Sequence, residues 1–134
     1  QRSELEKARA DAERVTSILA DPSSVQIAMP QPAEKGAQPM RAYWHAQMGI
    51  VVAGTRIPVP ANGRTFELWL LPKVPGRKPI PAGFTRPQLD GSFVLLIAAP
   101  AALFRETKAL AVTEEPAAGS PQPTTPPRWL GAIG

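Results

Sequence analysis

The chain has 134 residues, a net charge of +4, no cysteine and one histidine. That inventory excludes disulfides, thiolate zinc sites, a cysteine nucleophile and any site built from several histidines. Proline accounts for 17 residues, well above average usage, so many short elements separated by stiff connections are expected. The chain opens at Gln1 rather than Met, which reads as a piece of a longer protein. No stretch approaches the roughly 20 apolar residues of a membrane helix, and the charged opening is unlike a signal peptide.

Residues 1–21 differ from the rest in lacking Gly and Pro. Ser3 and Glu6 have the spacing of a capping box, and Leu5, Ala8, Ala12, Val15 and Leu19 recur at intervals of three and four. The pattern predicts a helix over 3–20, ended by Asp21-Pro22. Its stripe could pack on its own domain, or form a stalk that pairs weakly with a second copy through Leu5, Ala8, Ala12, Val15 and Leu19.

From Val25 the apolar period changes from that of a helix to that of a strand. Strands are expected at 25–29, 40–47, 50–53, 65–71, 80–85, 92–99, 108–114 and 129–133. A helical turn is expected at 103–108. Pro72 should end its strand for want of an N–H. Ile80–Thr85 reads as an edge strand, and Ser92–Ala99, the most apolar, as a central one. Asp90-Gly91 has the form of a hairpin turn. The proline-rich stretch 116–127 reads as a rigid connection between the last two strands, with a polyproline ligand as the rival reading. The predicted fold is mainly β, an antiparallel β-sandwich of seven or eight short strands (22–134) preceded by a helix or stalk (1–21).

Chemistry is sparse. His45 alone cannot complete a triad, and it reads as a partly buried sheet residue beside Trp44. Glu114 and Glu115 are adjacent, so on a strand they face opposite ways and cannot act as a catalytic pair. No phosphate-binding loop occurs. The expectation is no enzyme, with no catalytic, cofactor-binding or metal residues. Arg56, Arg64, Lys73, Arg77, Lys78 and Arg86 stand against Glu67 alone between 56 and 86. A solvated basic face accounts for them better than a membrane surface, and nucleic acid is not expected as a partner.

Several blocks nevertheless carry a family likeness. Glu67-Leu68-Trp69-Leu70-Leu71 is followed by Ala82-Gly83-Phe84 and Asp90-Gly91-Ser92-Phe93. The run from Ala109 to Thr124 then reads ALAVTEEPAAGSPQPT. Together, over roughly residues 40–134, they resemble the C-terminal domain of RskA-like anti-sigma-K factors of bacteria. Glu67 stands where Gln is common, and Ala118 replaces the first Gly of a pair. The resemblance implies an extracytoplasmic regulatory domain of a single-pass membrane protein. Its cytoplasmic part, absent from this chain, would hold a sigma factor, and regulated proteolysis would release it. An envelope ligand- or glycan-binding module is the alternative, which a concave patch of aromatics with polar partners would favour.

Overall fold

In the computed structural model, residues 3–133 are described. One helix, α1 (Glu4–Ala20), precedes eight strands: β1 (Val25–Met29), β2 (Met40–His45), β3 (Gly49–Gly54), β4 (Arg64–Pro72), β5 (Ile80–Thr85), β6 (Phe93–Ile97), β7 (Thr107–Pro116) and β8 (Trp129–Ala132). They form two antiparallel four-stranded sheets, ordered β1-β2-β3-β6 and β5-β4-β7-β8. A single turn of 3₁₀ helix at Phe104–Glu106 leads into β7.

Alternation along the strands builds the core between the sheets. Ile27, Met29, Met40, Ala42, Trp44, Ile50, Val52 and Phe93 of the first sheet meet Phe66, Leu68, Leu70, Leu110, Val112 and Trp129 of the second. The rings of Phe66 and Trp129 meet edge to face at 5.0 Å, the arrangement aromatic quadrupoles favour. At one seam, Leu130 N–H donates to the Pro30 carbonyl across the sheets. There a side chain on Gly131 would lie 2.6 Å from the Ala28 carbonyl oxygen, so the close approach of β8 to β1 requires glycine.

Three expectations need correction. β6 is an edge strand rather than a central one. Phe93, Leu95 and Ile97 face the core, but Val94 is 62% exposed, so the apolar run serves one face and a seam. Asp90-Gly91 does not close a β5–β6 hairpin, because those strands lie in different sheets. Of the two, only Gly91 has positive φ, and Asp90 Oδ1 instead accepts from the N–H and hydroxyl of Ser92. The capping box is half formed: Glu6 N–H donates to Ser3 Oγ as expected, but the Glu6 carboxylate takes the Ser3 hydroxyl rather than its N–H.

Candidate functional site: a latched helix, a strapped sheet and an open groove

The outer faces of the two sheets are covered by different devices. On the first sheet, α1 packs against β2 and β3, and Ile18 is its one buried residue. Val51 faces outward on β3 and is fully buried beneath this contact. The helix end is tied by polar groups. Ser24 Oγ donates to the Ile18 carbonyl, and Arg14 donates to the carbonyl of Met48 in the β2–β3 turn. Asp21, the C-cap, reaches His45 at 3.0 Å.

The partners of His45 fix its tautomer. Nδ1 accepts from the N–H groups of Gln47 and Met48, each at 3.1 Å, so it carries no hydrogen. Nε2 therefore carries the hydrogen and donates to Asp21 Oδ2. Asp21 Oδ1 accepts from the N–H and hydroxyl of Ser23. These two bonds, joined by the one from His45, hold the Asp21 carboxyl below its ordinary value. An acid at a helix C-terminus opposes the helix dipole, and these donors offset that.

The expected stripe is not what docks the helix. Leu5 is 70% and Leu19 48% exposed, Ala8 and Ala12 are exposed, and Val15 is half-buried. The turn at Asp21-Pro22 brings only the last turns onto the sheet, and it presents Ile18, one residue off the stripe.

On the second sheet, Glu67 and Trp69 of β4 and Ala111, Thr113 and Glu115 of β7 share the outer face, with Glu67 opposite Thr113 and Trp69 opposite Ala111. All five are buried because residues 117–128 fold back over them as a strap. Glu115 is fully buried and organises it. The carboxylate accepts from the hydroxyls of Thr113 (2.6 Å), Ser120 (2.8 Å) and Thr124 (2.5 Å), and from Thr124 N–H (3.0 Å). Trp69 Nε1–H donates to Thr113 Oγ1 at 2.8 Å. The indole, hydroxyl and carboxylate thus form one chain in which each bond polarises the next. Burial alone would raise the Glu115 carboxyl, but the bonds from Thr113, Thr124 and Ser120 outweigh it and hold it at about 2. Burial pushes the neighbouring Glu67 carboxyl up; the Ser120 N–H bond partly opposes this, and the Glu115 charge adds to it.

The uncovered part of the first sheet's outer face holds an open groove of about 410 Å³. Arg41 and Tyr43 of β2, Ala53 of β3, Val94 of β6, and Gln38 and Thr55 from the adjoining loops line it. No acidic side chain is among the lining residues.

With the geometry in view, comparison with known proteins decides the family. Residues 1–128 match the family described as anti-sigma-K factor rskA, C-terminal. The chain belongs to this family. No curated protein and no solved structure matches it. The match begins well before residue 40 and ends at residue 128, so the family pattern takes in α1 and the sandwich through β7 and the strap, and stops short of β8. The family is a regulatory one, and a sigma factor is its general kind of partner.

The structure also gives a physical account of the block by which this RskA-type domain resembles its family. Its Thr113, Glu115, Ser120 and Thr124 are the four residues of the buried carboxylate network. The prolines of 116–127 connect β7 to β8, as a rigid connection would. Glu114 and Glu115 do face opposite ways: Glu114 Oε2 lies 3.9 Å from Arg64 Nε, away from the network. Of the basic residues, Arg64 is thus paired, Arg86 stacks on Phe84 at 5.3 Å, and Arg56, Lys73, Arg77 and Lys78 are exposed. No helix among the described residues is long and apolar enough to cross a membrane. Sequence reasoning missed Ile18, Asp21 and Glu115. A signal for the last was available: Trp69 and Ala111 occupy the outward phase of their strands, so that face had to be covered.

Proposed function

We propose that this chain is the extracytoplasmic regulatory domain of a single-pass membrane anti-sigma factor and has no catalytic role. In this reading α1 is the stalk toward a membrane helix outside the chain, and a cytoplasmic part, also outside it, binds the sigma factor. The domain sits on the periplasmic or cell-wall side. Its work is to withhold the stalk from site proteases, so that signal-dependent cleavage frees the sigma factor. Residues 22–134 act as the sandwich domain and 1–21 as the stalk. The exposed stripe of Leu5, Ala8, Ala12 and Leu19, with half-buried Val15, lets two stalks pair weakly.

Family membership supports the regulatory role. The observation that carries the mechanism is that α1 is held through one buried side chain, Ile18, with Arg14, Asp21 and Ser24 as polar ties. A stalk so attached can detach while the sandwich stays folded. The test uses the full-length membrane protein with a sigma-dependent reporter and a blot for the anti-sigma factor. Ile18→Asn should release the helix, hasten cleavage and raise transcription with the sandwich intact. Trp69→Ala, which removes a buried aromatic worth about 3–5 kcal/mol, should unfold the domain and do the same. If both leave cleavage and transcription unchanged, the reading is wrong.

A further inference from the structure

We propose that the groove on the outer face of the first sheet is a binding site for a carboxylate carried on an apolar body, with Arg41 as its anchor. Its volume of about 410 Å³ lies within the range of small-ligand sites, which combine apolar walls with a few convergent polar groups. Here Ala53 and Val94 give an apolar floor and Tyr43 an aromatic wall, while Gln38 and Thr55 stand at one side. Val94 is 62% exposed although its strand neighbours Phe93 and Leu95 pack inward. Other apolar side chains, Val59 and Leu89 among them, are at least as exposed; what sets Val94 apart is its place in a concave surface beside Ala53 and Tyr43.

Charge selects the class of ligand. Arg41 is exposed and has no acid within ion-pair distance among the described residues, where the ion pairs are His45–Asp21 and Arg64–Glu114. Asp90 lies two residues from the lining Ser92, and its Oδ1 is already engaged by Ser92. A guanidinium in such a setting presents a fork of donors that matches a carboxylate bidentately. A neutral sugar would leave that cation unmatched; a cationic ligand would be repelled.

The site also lies where a ligand can act on the regulatory element. Tyr43, on the groove wall, pairs in the ladder with Val51, the outward residue buried where α1 packs. A ligand on β2 and β3 therefore braces the two strands on which the helix sits. This consequence rests on the function proposed above; the binding itself does not.

The test is calorimetric titration of the 134-residue chain with four probes: 3-phenylpropionate, its amide, N-acetyl-alanyl-phenylalanine and that peptide's amide. Each acid that binds should do so at least tenfold more tightly than its amide, and Arg41→Gln should erase the preference while leaving thermal unfolding unchanged. Binding by both acids identifies a small carboxylate as sufficient. Binding by the peptide acid alone identifies a peptide C-terminus as the source. Failure of both acids to bind at 10 mM (about the weakest affinity such contacts give), equal binding of acid and amide, or a preference that survives Arg41→Gln would each overturn the proposal. None of these outcomes bears on whether the domain guards a stalk, which the reporter assay reads separately.

Discussion

Glu115→Gln is the most informative single change to this fold. The substitution keeps the shape of the side chain and removes its charge. Folding takes the Glu115 carboxyl from an ordinary 4.5 to about 2. At 1.36 kcal/mol per pH unit, that is roughly 3 kcal/mol of stability at neutral pH from the ionised group in its pocket. The amide cannot recover it. With its oxygen in the Oε2 position the amide still accepts from the Thr113 hydroxyl and Thr124 N–H, and the hydroxyls of Ser120 and Thr124 can turn to accept from its NH₂; what it loses is the charge that makes these bonds strong. The expected loss at pH 7 is about 3 kcal/mol, or about 10 °C in Tm for a chain of this length. The sign of the pH dependence follows from the depressed value. The stabilisation is fully present above 4.5 and is lost as pH falls through about 2, so wild type and variant should converge over that window. Urea denaturation followed by circular dichroism, run from pH 7 down to pH 2, measures both quantities. A difference under about 1 kcal/mol at pH 7, or one that stays constant across the window, would refute the assignment of Glu115 as the charge that holds the strap.

Glu67→Gln should act in the opposite sense. The amide oxygen can still accept from Ser120 N–H while the charge beside Glu115 is gone. Because burial raises the Glu67 carboxyl, its ionisation costs stability as pH rises above its ordinary range; the variant should be more stable than wild type at pH 8 and nearly equal to it at pH 4. A stability loss at pH 8 in the same denaturation assay would count against this. A chain beginning at Ser23 should keep a single cooperative transition while losing about 2–3 kcal/mol, the burial of one isoleucine and the exposed bonds around it. Loss of folding on that truncation would make α1 part of the core rather than a detachable stalk.

The elements of this fold were legible in the sequence because each carries its own period. The helix could be read from Ser3, Glu6 and the spacing of its apolar residues, and the strands from their alternation. What period cannot give is which neighbour an element finds. Phe93–Ile97 is apolar enough for a central strand, yet it lies at an edge, where the seam with the other sheet half-covers Leu95 and Ile97. The helical stripe could be read, but the residue that docks is Ile18, because the path set by Asp21-Pro22 decides which side of the last turn meets β2 and β3. The buried network was least legible. On a strand, Thr113 and Glu115 read as ordinary outward polar residues, and only the return of Ser120 and Thr124 over them turns that face into an interior. The family block could be recognised by its letters before its physics was visible.

The two coverings differ in kind, and the difference bears on regulation. The strap over the second sheet is fastened by three charge-assisted hydrogen bonds from Ser120 and Thr124 to the Glu115 carboxylate, and lifting it breaks them together and exposes the Trp69 indole to water. It is held by more than the helix is. The helix over the first sheet is fastened by one isoleucine, worth about 1.5–3 kcal/mol in burial, and by polar contacts whose members water can satisfy once they part. Its release is therefore a local event well below the free energy of global unfolding. Under the function proposed above, a guard that had to unfold completely to expose its stalk would respond to general damage. One whose stalk is the weakest attachment can respond to a specific event on the face that carries it, and the groove with Arg41 and Tyr43 lies on that same face, on the strands that seat the helix.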